Sequence, residues 1–119
     1  MDRYTPFNIR EDALPPEEVK ILGIKAEVYA DRKRIKVSLE VTPFKTPPDV
    51  ELLIMDSAEN ILSEVGIVNN VDYKLSLVMH LRTDYISDKY QLISRISYAE
   101  MGMVHEKSIW IEMPPEEMP

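Results

Sequence analysis

A chain of 119 residues with 45% apolar side chains is long enough for one core and too short for two, and with no cysteine it offers no disulfide framework, thiolate metal site or thiol nucleophile. Its net charge of −7 repels phosphate backbones and anionic bilayers, which leaves nucleic acid and membrane out as partners. The polar start Met-Asp-Arg-Tyr-Thr and the lack of an apolar run approaching about 18 residues point to a cytoplasmic protein.

Residues 1–18 carry Pro6, Pro15 and Pro16 and follow neither a helical nor a strand period, which predicts an extended N-terminal arm. Tyr4, Phe7 and Ile9 are too apolar for a solvated tail, so the arm is expected to dock on its own sandwich, on a second copy or on another protein. A sandwich domain is expected over 19–113, followed by an acidic, proline-bearing tail over 114–119.

The first strand, within 19–29, changes phase at Gly23: Val19 and Ile21 share one face, then Leu22, Ile24, Ala26 and Val28 share the other. A turn at 30–33 leads into 34–42, where Ile35, Val37, Leu39 and Val41 alternate without error with Arg34, Lys36, Ser38, Glu40 and Thr42. The basic cluster Arg32, Lys33, Arg34 and Lys36 reads as a solvated hairpin tip rather than an anion site. The proline-rich link 43–49, with Phe44 in it, suits a crossing between sheets.

Next come an almost wholly apolar strand at 50–55, a turn at 56–60 and a weaker strand at 61–68, together a hairpin. With three glycines in the chain, the turns are expected to use Asp and Asn wherever φ is positive. The run 73–82 presents Tyr73, Leu75, Leu77, Met79 and Leu81 on one face. After the loop 83–88, which has room for one helical turn, 89–98 alternates with Tyr90, Leu92, Ile96 and Tyr98 inward. Gly102 falls in the last connection and 108–113 is the final strand. Seven strands and no sustained helical period predict an all-β, seven-stranded antiparallel sandwich with an extended N-terminal arm.

The segment Lys89-Tyr90-Gln91-Leu92-Ile93-Ser94-Arg95-Ile96 resembles the sixth strand of the immunoglobulin-like and fibronectin type III-like superfamily, with a tyrosine two positions before a core residue. Leu92 stands where an antibody-type domain has cysteine. An antibody-type domain is excluded, because there is no cysteine pair and the single tryptophan, Trp110, is on the last strand. The stretches Arg3-Tyr4-Thr5-Pro6-Phe7-Asn8-Ile9-Arg10, Leu39-Glu40-Val41-Thr42-Pro43-Phe44, Asp56-Ser57-Ala58-Glu59-Asn60 and Met79-His80-Leu81-Arg82 also look like a group of short bacterial proteins without an assigned function. That likeness implies no activity.

The candidate bases for hydrolysis are His80, on the polar phase of its strand, and His105, expected in the last hairpin, and no motif frames either. Asp56, Glu59 and Asn60 are explained by their turn rather than by a metal. Glu17-Glu18 and Glu116-Glu117 lie in proline-rich flanks, and Gly23, Gly66 and Gly102 are each alone, so no phosphate loop is expected. These patterns assign no catalytic residue, metal or cofactor, and predict that the chain is not an enzyme.

Trp110 is out of phase with Ile109, Ile111 and Met113, so the last strand is apolar on both faces and one face needs a cover. The leading expectation is a non-catalytic interaction or structural module that forms a homodimer, or binds another protein, through Tyr4, Phe7, Ile9 and Trp110. The alternative is a carbohydrate or small-ligand binding domain using Tyr85 and Trp110.

Overall fold

The computed structural model describes residues 10–83 and 87–113. Seven strands follow one another: β1 (Ile21–Val28), β2 (Arg34–Val41), β3 (Asp49–Met55), β4 (Ile61–Ile67), β5 (Lys74–His80), β6 (Lys89–Tyr98) and β7 (Gly102–Glu112). They pair antiparallel in two sheets, β1-β2-β5 and β4-β3-β6-β7, an open β-sandwich.

The regular alternation of β2 places it at the centre of the smaller sheet. Its register sets Ile35 opposite Met79, Val37 opposite Leu77 and Leu39 opposite Leu75, so one face of both strands is apolar. Those side chains meet Val50, Leu52 and Ile54 of β3 and Tyr90, Leu92 and Ile96 of β6 in a single core. Thr42, expected in water, is buried instead, and its Oγ1 accepts the Lys20 N–H at 3.1 Å.

Tyr90 is fully buried and its hydroxyl accepts the Ser87 N–H at 2.9 Å, tying β6 to the connection before it. Tyr90→Phe is expected to cost about 1 kcal/mol in urea denaturation, the net worth of one such bond. No change in midpoint would show that the bond contributes nothing. Tyr98 caps the other end of the core, donating from its hydroxyl to the Thr46 carbonyl at 2.8 Å, and burial pushes its pKa up to about 12.

The described part of the arm lies on its own sandwich. Leu14 forms a parallel bridge with Phe44: its N–H donates to the Pro43 carbonyl at 2.9 Å and its carbonyl accepts the Lys45 N–H at 3.0 Å. Ala13 and Val19 are buried on either side of a short 3₁₀ turn, Pro16–Glu18. Tyr4, Phe7, Ile9 and the tail over 114–119 lie outside the described residues, as does most of the helical turn expected within 84–88.

Three local expectations are corrected. The phase change in β1 comes from a bulge, and its extra residue, Leu22, is exposed rather than sharing the core face of Ile24. Similar register shifts leave Leu62 of β4 and Val104 of β7 as extra residues. Among the described non-glycine residues, positive φ falls on Arg32, Glu59 and Asn69, at 60°, 66° and 51°. The aspartates work beside these positions. Asp31 Oδ1 accepts the N–H groups of Lys33 and Arg34, and Asp56 Oδ1 accepts those of Ala58 and Asn60. Finally, β7 begins at Gly102, six residues before the expected 108, so His105 lies within a strand and not in a connection.

Candidate functional site

The outer face of the four-stranded sheet is the surface that the sandwich leaves unexplained. Antiparallel register aligns its side chains in rows running from β4 through β3 and β6 to β7. One row is Ile61, Met55, Gln91 and Trp110; the next is Glu64, Leu53, Ile93 and Ser108; a third is Gly66, Glu51, Arg95 and Glu106. An outer face of this kind is normally polar. Here Leu53 and Ile93, only 5% and 7% exposed, form an apolar floor, and Trp110 stands at its edge 55% exposed.

Polar groups ring the indole. Lys89 Nζ lies 4.8 Å from the Trp110 ring centroid, and Gln91 Nε2 makes a long, 3.5 Å contact with Ser108 Oγ. Two rows from the indole, Arg95 Nε donates to Glu106 Oε2 at 2.7 Å and Nη1 to Glu51 Oε1 at 3.1 Å. The bond to Glu106, and after it the one to Glu51, raises the arginine's pKa. Screened by solvent, each pair is worth about 0–1 kcal/mol. They tether the guanidinium between β3 and β7, in the row next to Leu53 and Ile93.

The tryptophan phase argument therefore places the indole correctly: Ile111 and Met113 are buried and Trp110 faces out. Leu53 and Ile93 were missed as members of this face, although an almost unbroken apolar run such as 50–55 is the signal of a strand with two apolar faces. Tyr85, the second aromatic expected for a ligand, is outside the described residues.

The remaining candidates have structural occupations. His80 is exposed on the outer face of the smaller sheet, opposite Arg34. His105 bridges the two sheets, its Nδ1 accepting the Ile21 N–H at 3.0 Å, which places the neutral ring's proton on Nε2. Burial, then Lys20 and Lys107, lowers its pKa. Asp56 Oδ2 accepts from Asn60 Nδ2 at 3.0 Å, and the hydrogen bonds from Asn60 lead in lowering its carboxyl pKa. Among the described residues no group of three or more histidine, aspartate or glutamate side chains is arranged to hold a metal. In the basic cluster, Arg34 is bound to Asp31 at 2.7 Å and lies over the Tyr29 ring at 4.6 Å, as expected of a hairpin tip. No helix among the described residues is long and apolar enough to cross a membrane.

No family model and no curated protein matches the chain. Solved structures do. A glycosyl hydrolase family 2 member from Bacteroides cellulosilyticus superposes with a TM-score of 0.56 at 15% identity, over 80% of this chain and 15% of that one. A β-glucuronidase from Ruminococcus gnavus gives 0.53 with a C6-substituted uronic isofagomine bound and 0.51 with D-glucuronic acid, both at 14% identity over 81% of this chain and 16% of that one. The expected likeness to short bacterial proteins of unassigned function is thereby corrected: the fold is that of a segment within characterised glycosidases. The chain spans less than one fifth of the length of these structures.

Proposed function

We propose that this chain is a non-catalytic β-sandwich module that binds carbohydrate on the outer face of its four-stranded sheet. Trp110 is the stacking platform, and Gln91, Ser108 and Lys89 are the polar rim. The observation that carries the reading is an exposed indole beside an apolar floor, on a face that a free-standing sandwich would make polar. A pyranose has an apolar C–H face that suits a flat aromatic surface and hydroxyls that suit amide and hydroxyl partners. The resemblance to segments of glycosidases supports the same reading, with the module as an accessory to catalysis located elsewhere. Tyr85 is the second aromatic in this proposal.

The single tryptophan makes fluorescence a direct readout. Titration with neutral sugars, uronic acids and their oligomers is expected to quench or shift the emission for at least one of them. By calorimetry, Trp110→Ala should weaken that ligand at least about tenfold, or 1.4 kcal/mol, and Tyr85→Ala less. A flat response across the panel removes the reading.

The same exposed face supports a second reading, in which Trp110, together with Tyr4, Phe7 and Ile9 of the arm, packs against a second copy or another protein. Light scattering on the full chain and on a chain lacking residues 1–9 tests the homodimer. A monomer in both removes that form of it.

A further inference from the structure

At the end of the sandwich where β2 passes to β3, β4 to β5 and β6 turns into β7, two concavities lie side by side. They share Val68 and Asp49 as a common wall. One, of about 330 Å³, reaches Gly66, Arg95 and Met103; the other, of about 450 Å³, lies between Pro47 and the tip of the β6-β7 hairpin at Glu100 and Met101. Val68 is 75% exposed, Met103 57% and Met101 48%. Loop tips are ordinarily polar, and three large apolar side chains around two adjoining hollows require a reason.

The surface is preformed. Asn70 N–H donates to the Pro48 carbonyl at 2.7 Å, Asn69 N–H to Asp49 Oδ1 at 2.9 Å, and the Tyr98 hydroxyl fixes the β2-β3 link through Thr46. Little ordering entropy remains to be lost on binding, while the two methionines can still adapt to what arrives. Its charge is one-sided. Asp49, Glu51 and Glu100 line the hollows, and the one basic side chain among their lining residues, Arg95, is already bound by Glu51 and Glu106.

We propose that this end of the sandwich is a docking surface for a segment of another protein that carries a large apolar side chain flanked by lysine or arginine. The apolar group is received among Val68, Met101 and Met103, and the cations lie against Asp49, Glu51 and Glu100. Complementary charge selects the segment and the exposed apolar side chains hold it. The first hollow lies on the same outer sheet face as Trp110 but two rows away, at Gly66, Glu51 and Arg95, and the second lies among the loops at that end of the sheet.

Gly66 allows a clean test. Gly66 lines the first hollow and a Cβ built there meets nothing within 4 Å, so Gly66→Gln adds a polar side chain to its wall without a clash at Cβ. The probes are three synthetic heptapeptides, alternating lysine with leucine, glutamate with leucine, and lysine with serine, titrated into the isotope-labelled full chain. The lysine-leucine peptide is expected to move the amide signals of 66–69 and 99–103 and to bind less tightly as salt rises from about 0.05 to 0.5 M. Gly66→Gln and Met101→Ser should each weaken it about tenfold, and Trp110→Ala should leave it unchanged. Binding of the glutamate-leucine peptide with equal strength would overturn the proposal. So would shifts confined to another face, no binding, or indifference to both variants when their spectra remain those of the folded chain.

Discussion

Phe44→Ala is expected to destabilise the fold by about 3–5 kcal/mol, the usual cost of truncating a buried phenylalanine. A domain of this size has about 5–15 kcal/mol in total. The ring is fully buried in the link between the two sheets and meets the Tyr73 ring edge-on, with centroids 4.8 Å apart and planes at 69°. Its backbone also carries the bridge to Leu14. The alanine therefore opens a cavity where three segments distant in sequence converge, and none of them can collapse into it without losing hydrogen bonds of its own. Urea denaturation measures the effect. A loss below about 1 kcal/mol would mean that the surroundings close over the gap. Phe44→Leu, which keeps most of the volume, should recover part of the stability.

The second large effect depends on pH. Removing the His105 imidazole leaves the N–H of buried Ile21 without its acceptor, which costs about 1–3 kcal/mol near neutral pH. The folded state also lowers the pKa of His105, so the unfolded chain binds the extra proton more readily. Stability from this group is complete above the ordinary histidine value of 6.5 and is lost as pH falls below it through the lowered folded value. The wild-type midpoint should therefore drop as pH is taken from 7 to about 5, and His105→Ala should flatten that part of the curve. His105→Asn puts a non-titrating acceptor near the position of Nδ1 and should restore stability without restoring the slope. Asp31 and Asp56 act in a lower window. Their carboxyl pKa values are lowered chiefly by the Lys33 N–H and by the Asn60 side chain respectively, so that stability is present above the carboxylate range and lost below about pH 4. An unchanged slope in both His105 variants would assign the pH response elsewhere.

Strands with one wet face were legible from the sequence, because β2 and β5 alternate with the pleat and only one phase is buried; β6 alternates less cleanly, with Ile93 buried on its outer phase. The first half of β7 was not. It runs Gly102, Met103, Val104, His105, Glu106, Lys107 along a sheet edge with an extra residue in the middle, and neither period survives that. His105 was unreadable for a different reason, since its partner is 84 positions away and no local pattern marks it. At the candidate site, Trp110 announced itself by falling out of phase, whereas Leu53 was absorbed into an apolar run that looked like core and Ile93 fell on the outer phase of an alternating strand and was passed over. Two turn tips show the same limit. The aspartates that fasten them were readable as turn formers, but the left-handed positions went to Arg32 and Glu59, whose side chains give no hint of it.

The extra residues Leu22, Leu62 and Val104 have a consequence for how the molecule behaves among its neighbours. Three of the four outermost ribbons are each broken once in their hydrogen-bond ladder, so a foreign chain laid alongside would fall out of step within a few residues. Many such modules can then be crowded together, or strung along one polypeptide, without zipping into fibrils, and their associations are left to side chains.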